Sequence, residues 1–452
     1  MEITYHNSAA ISITDNETKI LIDPWLTNGE YFGSWGIYPP YNFKPDEFND
    51  VDYIYISHIH PDHCSQKTLS KLNKKIPVII HNFPEKYFKK NIERLGFNVI
   101  EIENNKKMKI EKDFSINILA ADNCNPEICG KLFGCSVSES GYGTANIDTL
   151  AIFDNKKQII VNTNDCPYEI SEKTAKIVSK QYQNIDFLLV GYAGASSYPQ
   201  CFNFSEIKTK TEAHKKKIKR LNDTINYVKI FNPKFYMPFA GKYTLTGKNH
   251  ILNERRGEPD LDFAVEYLTN NIDQKKNRCI VLNSKESFDI STGKSSNEYR
   301  KIDQKEKQEY VKNVLSKLKY SYELELFPEL KSIIKLLPKC YDRFNDLRQK
   351  IGYETDTKII LELTNDKSAI ISCDGNGYEV IENNQIKEIE KFISMNLDSR
   401  LLYWLLQGPQ KAHWNNAEIG SHIQFTRIPD IYERGLIHCW NYFYNFHFLN
   451  LV

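Results

Sequence analysis

Short apolar runs alternate with polar turns and amphipathic stretches over the first two thirds of the chain, which predicts strands alternating with helices. The segments ITYHNSAAISIT, KILIDPWL and VDYIYISH are predicted strands. The apolar run YIYI in the third segment indicates burial on both faces. Ser65 is suited to cap the short helix that follows, in SQKTLSKLNKK.

The same alternation resumes further along the chain with the predicted strands FSINILAAD, TLAIFD, KQIIVNTND, DFLLVGYAG and KFYMPFAG. A long basic helix is predicted near residues 208–228. Two β-rich halves that each carry helices predict an α+β fold with four layers in the order αββα. The Gly- and Cys-bearing stretch at residues 123–143 reads as a long loop, and such loops inside compact domains are often functional.

The character of the chain changes after residue 291, which indicates a second domain. Residues 1–291 are predicted to form the first domain, and the polar stretch 291–307 a linker. Residues 308–452 are predicted to form a smaller α+β domain. Its predicted elements are helices near 305–318, 329–352, 385–395 and 399–406, strands in TKIILELT and SAIISCD, and a helical tail at 433–449. A packing or dimerisation role is the expectation for this domain, which leaves a homo-oligomer as an option.

The overall charge excludes some classes of partner. Fifty-nine Lys and Arg residues nearly balance 58 Asp and Glu residues, giving a net charge of +1. Nucleic acid and anionic membranes are therefore not expected as partners. The N-terminus lacks the pattern of a signal peptide, and no apolar run is long enough to span a bilayer. Ten scattered cysteines fit reduced thiols, so a cytoplasmic location is expected.

The octapeptide SHIHPDHC at residues 57–64 places three histidines and one aspartate directly after the apolar run YIYI. Side chains alternate along a strand, so His58 and His60 point to the same side. With this spacing, the two imidazoles could bind a first metal ion, and Asp62 and His63 could bind a second. Imidazole with carboxylate suits zinc, iron or manganese. The sequence therefore predicts a metal site with two ions.

SHIHPDH resembles the H-x-H-x-D-H signature of the metallo-β-lactamase superfamily, which implies the four-layer αββα sandwich. LIDPWL at 21–26 resembles a D-P-W-L segment of the branch that contains ascorbate-6-phosphate lactonase and N-acyl phosphatidylethanolamine phospholipase D. A histidine on the first strand is also typical of that branch and matches His6. Asp165, at the end of IIVNTND, matches the carboxylate that bridges the two metals in the superfamily.

Several further blocks resemble the CMP-N-acetylneuraminate hydroxylase family. They are NTNDC (162–166), VGYAGASSYP (190–199), KTKTEAHKKKIKRLN (208–222), FYMPFAGKY (235–243) and EIGSHIQFTRIPDIYERGLIHCWNYF (418–443). That family consists of non-haem iron monooxygenases that receive electrons through a Rieske iron–sulfur domain. The resemblance implies iron, dioxygen and a small polar substrate, with a nucleotide or phosphate group as one option.

The chain departs from these families in two ways, at the Rieske motif and at Asn125, whereas the hydroxylase family resembles it in lacking a histidine at Ala240 and having one shortly after. It has no C-x-H paired with C-x-x-H, so no Rieske domain is expected, and electrons would come from a separate donor protein or from the substrate. Asn125 stands where the fold usually supplies a histidine ligand, and Ala240 stands where a later one is common. His250, ten residues after Ala240, is then a candidate ligand against the alternative of a surface histidine.

Candidates for substrate binding are His6, Asn125, Tyr192 and Ser196, the last two in a small-residue loop that follows a buried strand. The basic helix is either a solvated face or a contact for a phosphate-bearing substrate. The cysteines of the long loop, Cys124, Cys129 and Cys135, match no metal-site spacing.

Two enzyme functions follow from this sequence, and both need two metal ions. The preferred one is a diiron oxygenase or oxidase with His58, His60, Asp62, His63, Asp165 and His250 as candidate ligands. The alternative is a zinc- or manganese-dependent hydrolase of the phosphodiesterase or lactonase type, in which Asp62 would handle a proton and Asp165 would bridge the metals. A third, non-catalytic interpretation, a degenerate fold used for binding, is disfavoured by the intact H-x-H-x-D-H motif.

Overall fold

A computed structural model of the chain describes residues 1–83, 86–121 and 148–445. The long predicted loop at 123–143, with Asn125 and its three cysteines, lies outside the described residues. The other seven cysteines are all free thiols. Within the described parts of the chain, no helix is long and apolar enough to cross a membrane.

The strands are bounded as follows: β1 Glu2–Asn7, β2 Ala10–Asp15, β3 Thr18–Ile22, β4 Trp35–Gly36, β5 Tyr53–Tyr55, β6 Val78–His81, β7 Val99–Ile102, β8 Met108–Lys109, β9 Ser115–Ala120, β10 Thr149–Asp154, β11 Ile159–Asn162, β12 Phe187–Gly191, β13 Phe235–Phe239, β14 Thr244–Leu245, β15 Arg278–Cys279, β16 Ser287–Asp289, β17 Lys294–Ser295, β18 Lys358–Glu362, β19 Lys367–Ser372, β20 Tyr378–Glu382, β21 Phe392–Asn396 and β22 Gln424–Ile428.

The helices are α1 Gln66–Leu69, α2 Tyr87–Arg94, α3 Tyr168–Gln181, α4 Glu206–Phe231, α5 Leu261–Asn271, α6 Gln304–Asn313, α7 Leu330–Ile334, α8 Leu337–Lys350, α9 Ser399–Gln407, α10 Trp414–Ile419 and α11 Arg434–Trp440. Ser65 caps α1 as predicted, because its side chain accepts a hydrogen bond from the Thr68 amide.

Two sheets face each other in the first unit of the chain and confirm the four-layer sandwich. One has the order β17-β16-β1-β2-β3-β5-β6-β7, and the other has the order β15-β13-β12-β11-β10-β9-β8. Their inner faces share one apolar core, in which Ile13 and Tyr55 of the first sheet join Phe153 and Leu189 of the second. α1 and α2 pack outside the first sheet, and α3, α4 and α5 pack outside the second.

The C-terminal part is a second α+β unit built on a five-stranded sheet of order β20-β19-β18-β21-β22. The helix predicted at 385–395 is wrong, because residues 392–396 form β21, which pairs in parallel with β18. Pairing with a neighbouring strand overrides the local helical pattern at this position. The long helix predicted at 329–352 is divided into α7 and α8.

The two units are joined by a common core, and the polar stretch predicted as a linker packs against the first unit. β17 lies within residues 291–307 and extends the first sheet past residue 291. Trp25, Trp35 and Tyr243 of the first unit share an apolar cluster with Leu402 and Trp414 of the second. The division into domains at 291 and 308 stays a prediction.

Candidate metal centre

Polar side chains from both sheets meet where three strands begin or end. Ser57 and His58 follow β5, Asp148 directly precedes β10, and Asp165 follows β11. The Tyr55 hydroxyl lies 2.8 Å from Thr149 Oγ1 and links the two sheets at this edge. The sandwich therefore delivers ligand-type side chains from distant parts of the chain to one place.

Two overlapping groups at this edge each contain two histidines and one carboxylate. His58, His63 and Asp165 form one group, and His58, His60 and Asp148 form the other, with ligand atoms within 4.8 Å of one another in each. His58 Nε2 lies 3.3 Å from Asp148 Oδ1 and 2.9 Å from His60 Nδ1. His63 Nε2 lies 3.2 Å from Asp165 Oδ2. These separations suit donor atoms that share a metal ion.

Each of the three histidines has its other ring nitrogen fixed by a neighbour. His63 Nδ1 lies 2.7 Å from Asp23 Oδ2, and His58 Nδ1 lies 2.9 Å from Ser57 Oγ. His60 Nε2 lies 3.1 Å from Asn415 Oδ1 of the C-terminal unit. Ligating histidines in metal sites use their second nitrogen in this way, which fixes the tautomer and the ring orientation. The donor set therefore fits a metal ion.

Asp23 is a supporting residue that the sequence did not single out. Its carboxylate is fully buried and accepts hydrogen bonds from Ser57 N and Ser57 Oγ, at 2.8 and 2.7 Å, besides its contact with His63. Burial of a carboxylate is tolerated when several donors surround it. Asp23 is the aspartate of the DPW segment, so the sequence carried a signal for its importance but not for its contact.

Asp148 is the second residue that sequence reasoning missed. Its backbone carbonyl accepts a hydrogen bond from the Ala121 amide, because β9 and β10 are antiparallel neighbours. The start of β10 therefore lies beside the end of β9, where the superfamily usually supplies a histidine. The sequence directed attention to Asn125, which lies outside the described residues, although an aspartate before TLAIFD occupies the same edge.

Burial and crowding perturb the titration of these groups. Burial lowers the pKa of His58, and the adjacent imidazoles of His63 and His60 lower it further. Burial also opposes protonation of His63, but Asp165, Asp23 and Asp62 outweigh it and raise the His63 pKa. Burial raises the pKa of Asp148 to about 6.

Asp165 carries a further sign that a partner is expected. Its Oδ1 atom is buried and has no hydrogen-bond partner among the described residues. Buried carboxylate oxygens are normally satisfied by donors or by a metal ion. Asn164, next to it, donates a 2.7 Å hydrogen bond to the Thr149 carbonyl and ties this loop to the strand that carries Asp148.

Asp62 lies beside the cluster and is held by an aromatic residue. Its Oδ2 is 3.6 Å from His63 Nε2, and its Oδ1 accepts a 2.5 Å hydrogen bond from the Tyr31 hydroxyl. Burial raises the pKa of Asp62. The structure thus brings Asp62 to the same place as His58, His60, His63 and Asp165, four of the five other predicted ligands.

The remaining sequence candidates have other surroundings. His250 belongs to neither group, and its Nδ1 hydrogen-bonds the Gly247 carbonyl in the same 3-10 turn. His6 has both nitrogens bonded to hydroxyls, with Ser12 Oγ at 2.8 Å and Tyr41 Oη at 3.1 Å. These contacts give His250 and His6 structural partners within the protein.

The small-residue loop after β12 packs against the basic helix α4. Tyr192 is only 2% exposed and belongs to the core outside the second sheet. Ser196 Oγ accepts a 2.8 Å hydrogen bond from Lys216 Nζ, which also pairs with the buried Glu258. Tyr192 is therefore a packing residue, and Ser196 is half-buried with its hydroxyl bonded to Lys216.

The basic helix α4 carries cations that are mostly paired with carboxylates. The pairs are Lys208–Asp430, Lys210–Glu206, Lys215–Glu212, Lys216–Glu258 and Lys219–Glu169. Apart from the buried Lys216–Glu258 pair, these are ion pairs on an exposed helix face, which is typical of a solvated surface. The helix therefore gives no support to a phosphate-binding role through these lysines.

Comparison with known proteins places these observations in a family. The model of the beta-lactamase superfamily domain matches residues 2–240, more than half of the chain. The cytidine monophosphate-N-acetylneuraminic acid hydroxylase of Danio rerio is 28% identical over 254 residues, which cover 54% of this chain and 38% of the relative. The Mus musculus hydroxylase is 27% identical over 257 residues, covering 54% and 39%. The chain thus spans less than half of the length of these relatives.

A solved structure with a similar fold is the isothiocyanate hydrolase from Delia radicum gut bacteria. It is 13% identical in sequence with a TM-score of 0.44, and the match covers 64% of this chain and 99% of that one.

Proposed function

The chain belongs to the beta-lactamase superfamily, and on that premise we propose that it is a dinuclear iron enzyme, an oxygenase or oxidase acting on a small polar substrate. The observation that carries this proposal is the composition of the two ligand groups, each with two imidazoles and one carboxylate. Two histidines and one carboxylate on one face of the metal form the donor set of non-haem iron oxygenases, which leaves positions open for dioxygen and substrate.

Asp148 strengthens the iron assignment. A carboxylate stands at the strand edge where many superfamily members use a third histidine, so the site carries more negative charge and more oxygen donors. Such donors suit iron or manganese better than a site built from histidines alone. The hydroxylases named above are similar over the same part of the chain, which favours oxygen chemistry over hydrolysis.

We assign the ligands to two ions from their distances. His58 belongs to both groups. His58, His60 and Asp148 would therefore hold one ion, and His63 and Asp165 would hold the other, with Asp62 beside them at 3.6 Å from His63 Nε2. Bound iron would supply the redox chemistry that activates dioxygen. His250 stays outside this assignment because its imidazole bonds its own turn.

The protein side chains prepare the site for that chemistry. Asp23 accepts the Nδ1 proton of His63, so that Nε2, which lies beside Asp165 and Asp62, would be the atom that binds a metal ion. The Tyr31 hydroxyl stays protonated and donates a hydrogen bond to Asp62 Oδ1. The other oxygen of this carboxylate, Oδ2, is therefore left for a ligand role. The site is mostly buried, which strengthens electrostatic interactions within it.

The electrons for an oxygenase would come from a separate donor protein or from the substrate. The sequence contains no C-x-H paired with C-x-x-H, so the chain itself does not carry the ligands of a Rieske cluster.

The alternative function is a zinc- or manganese-dependent hydrolase of the phosphodiesterase or lactonase type. The observation that favours it is the same donor set, because two histidines and one carboxylate also hold catalytic zinc in hydrolases. A metal ion in such an enzyme lowers the pKa of its bound water and supplies the nucleophile.

Metal analysis of the purified protein tests the proposal. The chain is produced without added metal, purified without oxygen, and analysed for iron, zinc and manganese before oxygen uptake is measured. About two irons per chain with oxygen consumption are expected. Stoichiometric zinc alone, with turnover of phosphodiester or lactone substrates and no oxygen uptake, would contradict the oxygenase function. His60→Ala is expected to lose most of the metal, whereas the exposed His214→Ala keeps it.

A further inference from the structure

Ten residues of the C-terminal unit, 413–422, contact the first unit through three hydrogen bonds, one of which reaches a histidine of the metal centre. Asn415 Oδ1 contacts His60 Nε2 at 3.1 Å, His422 Nε2 contacts the Tyr31 carbonyl at 2.8 Å, and Ser197 Oγ donates to Glu418 Oε1 at 3.1 Å. We propose that this closing segment completes the metal site, with Asn415 and His422 as positioning residues. The inference rests on the proposed metal-dependent function but not on the choice of metal.

Asn415 sets the orientation of His60. His60 Nδ1 faces His58 Nε2 at 2.9 Å, so Nδ1 is the nitrogen that His60 offers to the group formed with His58 and Asp148. The other ring nitrogen, Nε2, then contacts the amide oxygen of Asn415. An amide oxygen accepts the Nε2 proton and thereby keeps the lone pair on Nδ1, the atom that faces the site. Without this acceptor, the ring is free to rotate or to adopt the other tautomer.

The local structure around Asn415 explains how the contact is held. α10 begins at Trp414, and the side chain of His413 caps it by accepting a hydrogen bond from the Asn415 amide. Trp414 is buried, and its indole nitrogen donates a 2.8 Å hydrogen bond to the Phe443 carbonyl. The two residues that precede Asn415 therefore anchor the first turn of α10.

His422 acts on the other half of the site through Tyr31. Tyr31 and Phe32 both have positive φ angles, 48° and 58°. Bulky side chains rarely adopt this strained conformation, which persists only where the surroundings enforce it. The His422 hydrogen bond to the Tyr31 carbonyl holds this turn, and Tyr322 Oη donates to His422 Nδ1 from the far side at 3.0 Å.

The two positioning residues serve the two predicted ions separately. Asn415 acts on His60, which groups with Asp148, whereas His422 acts through Tyr31 on Asp62, which lies beside His63. Docking of the C-terminal unit and metal binding are therefore coupled, because each favours the conformation that the other requires. This gives the unit a part in the site beyond packing.

The test measures metal affinity in the full-length chain with zinc and cobalt(II) as probes. Asn415→Leu removes the acceptor at similar size, Asn415→Asp keeps it, and Asn416→Leu is the matched control. The Asn416 side chain has no hydrogen-bond partner within the described residues. Competition with a chromophoric chelator gives the affinity, and the visible spectrum of bound cobalt reports the ligand geometry.

Asn415→Leu is expected to weaken binding of one zinc ion about 10- to 100-fold, the usual effect of losing an outer hydrogen-bond partner of a ligating histidine. Its cobalt spectrum should change, while Asn415→Asp and Asn416→Leu keep the wild-type affinity and spectrum. Thermal melting of the metal-free proteins is recorded in parallel, and Asn415→Ala replaces the leucine variant if leucine lowers the melting temperature.

The outcomes separate this inference from the proposed function. Unchanged affinity and an unchanged cobalt spectrum in Asn415→Leu or Asn415→Ala would overturn the positioning role while leaving the metal site intact. A wild-type chain that binds neither zinc nor cobalt would overturn the proposed function itself. Equal losses in Asn415→Leu and Asn416→Leu would also overturn the inference, because the effect would then come from disturbance of α10.

Discussion

The Tyr31 hydroxyl donates a 2.5 Å hydrogen bond to Oδ1 of Asp62, and both side chains are buried. Tyr31 belongs to a turn of the first unit that the C-terminal unit holds through His422. Asp62 belongs to the histidine-rich turn after β5. The bond therefore ties the candidate ligands to a turn about 30 residues earlier in the chain. A substitution that removes this bond alone tests how much it supports the metal site.

Tyr31→Phe is expected to weaken binding of the ion held by His63 and Asp165, beside Asp62, by about tenfold. The substitution removes the donor to Asp62 and preserves the ring that packs against Trp35 at a centroid distance of 4.4 Å. Zinc titration against a chelator measures the change. Tyr41→Phe is the control, since it removes a phenol bonded to His6 rather than to Asp62. Equal affinities for Tyr31→Phe and wild type would show that this bond does not support the ligand.

Asp148→Ala is expected to reduce bound zinc from two ions to one. The variant removes the carboxylate from the group formed with His58 and His60 but keeps Asp165 in the other group. Elemental analysis after dialysis against limiting zinc gives the stoichiometry. Asp154→Ala at the opposite end of β10 removes a carboxylate that pairs with Lys107 and should keep both ions. Two ions in Asp148→Ala would exclude Asp148 as a ligand.

Local sequence was sufficient for the first half of the site. His58, His60, Asp62 and His63 follow one strand within a single turn, so their mutual positions depend on short-range geometry that the pattern SHIHPDH encodes. The sandwich was also predictable, because alternating apolar runs specify strands buried between helical layers. Asp165 was a candidate ligand only because the sequence resembles the superfamily, in which a carboxylate follows this strand. In the structure, Asp165 Oδ2 lies 3.2 Å from His63 Nε2.

The other contributors come from long-range contacts that no local pattern encodes. Asp148 reaches the site because β9 and β10 pair in antiparallel fashion, and Asn415 reaches it from 355 residues beyond His60. β21 was misassigned as a helix for a related reason, since its pairing with β18 and β22 decides its conformation. Tertiary pairing, rather than residue preference, determines these features.

The buried ion pair between Lys216 and Glu258 gives a prediction about stability. The two groups are 2.5 Å apart, and their side chains are 14% and 2% exposed. Glu258→Ala leaves a buried, unpaired ammonium and is expected to lower the free energy of unfolding by about 3–5 kcal/mol. The double variant Lys216→Met with Glu258→Leu is expected to lose less, because no charge remains buried. Urea unfolding measures both.

Two comparisons make that result interpretable. Glu172→Ala on α3 removes one partner of the exposed Lys176–Glu172 pair and should change the free energy of unfolding by less than about 1 kcal/mol. A double variant as unstable as Glu258→Ala would contradict the buried-charge explanation and would attribute the loss to packing of the loop that contains Ser196.

His6 gives a prediction about pH, because burial, with smaller contributions from Lys19 and Lys285, lowers its pKa from 6.5 to about 3. Between these values the unfolded chain takes up a proton at His6 that the folded chain does not, so stability falls as the pH is lowered through this window. One such group contributes a slope of up to about 1.4 kcal/mol per pH unit.

His6→Gln removes this contribution, so the stability advantage of the wild type over the variant should shrink as the pH falls from 6 to 4. Urea unfolding of the metal-free proteins at several pH values measures the difference, with a chelator present because the metal ligands also titrate. The exposed His214→Gln should follow the wild-type pH dependence. If His6→Gln also follows it, the imidazole is not held neutral by burial between Ser12 and Tyr41, and its assignment to substrate binding gains support over a structural role.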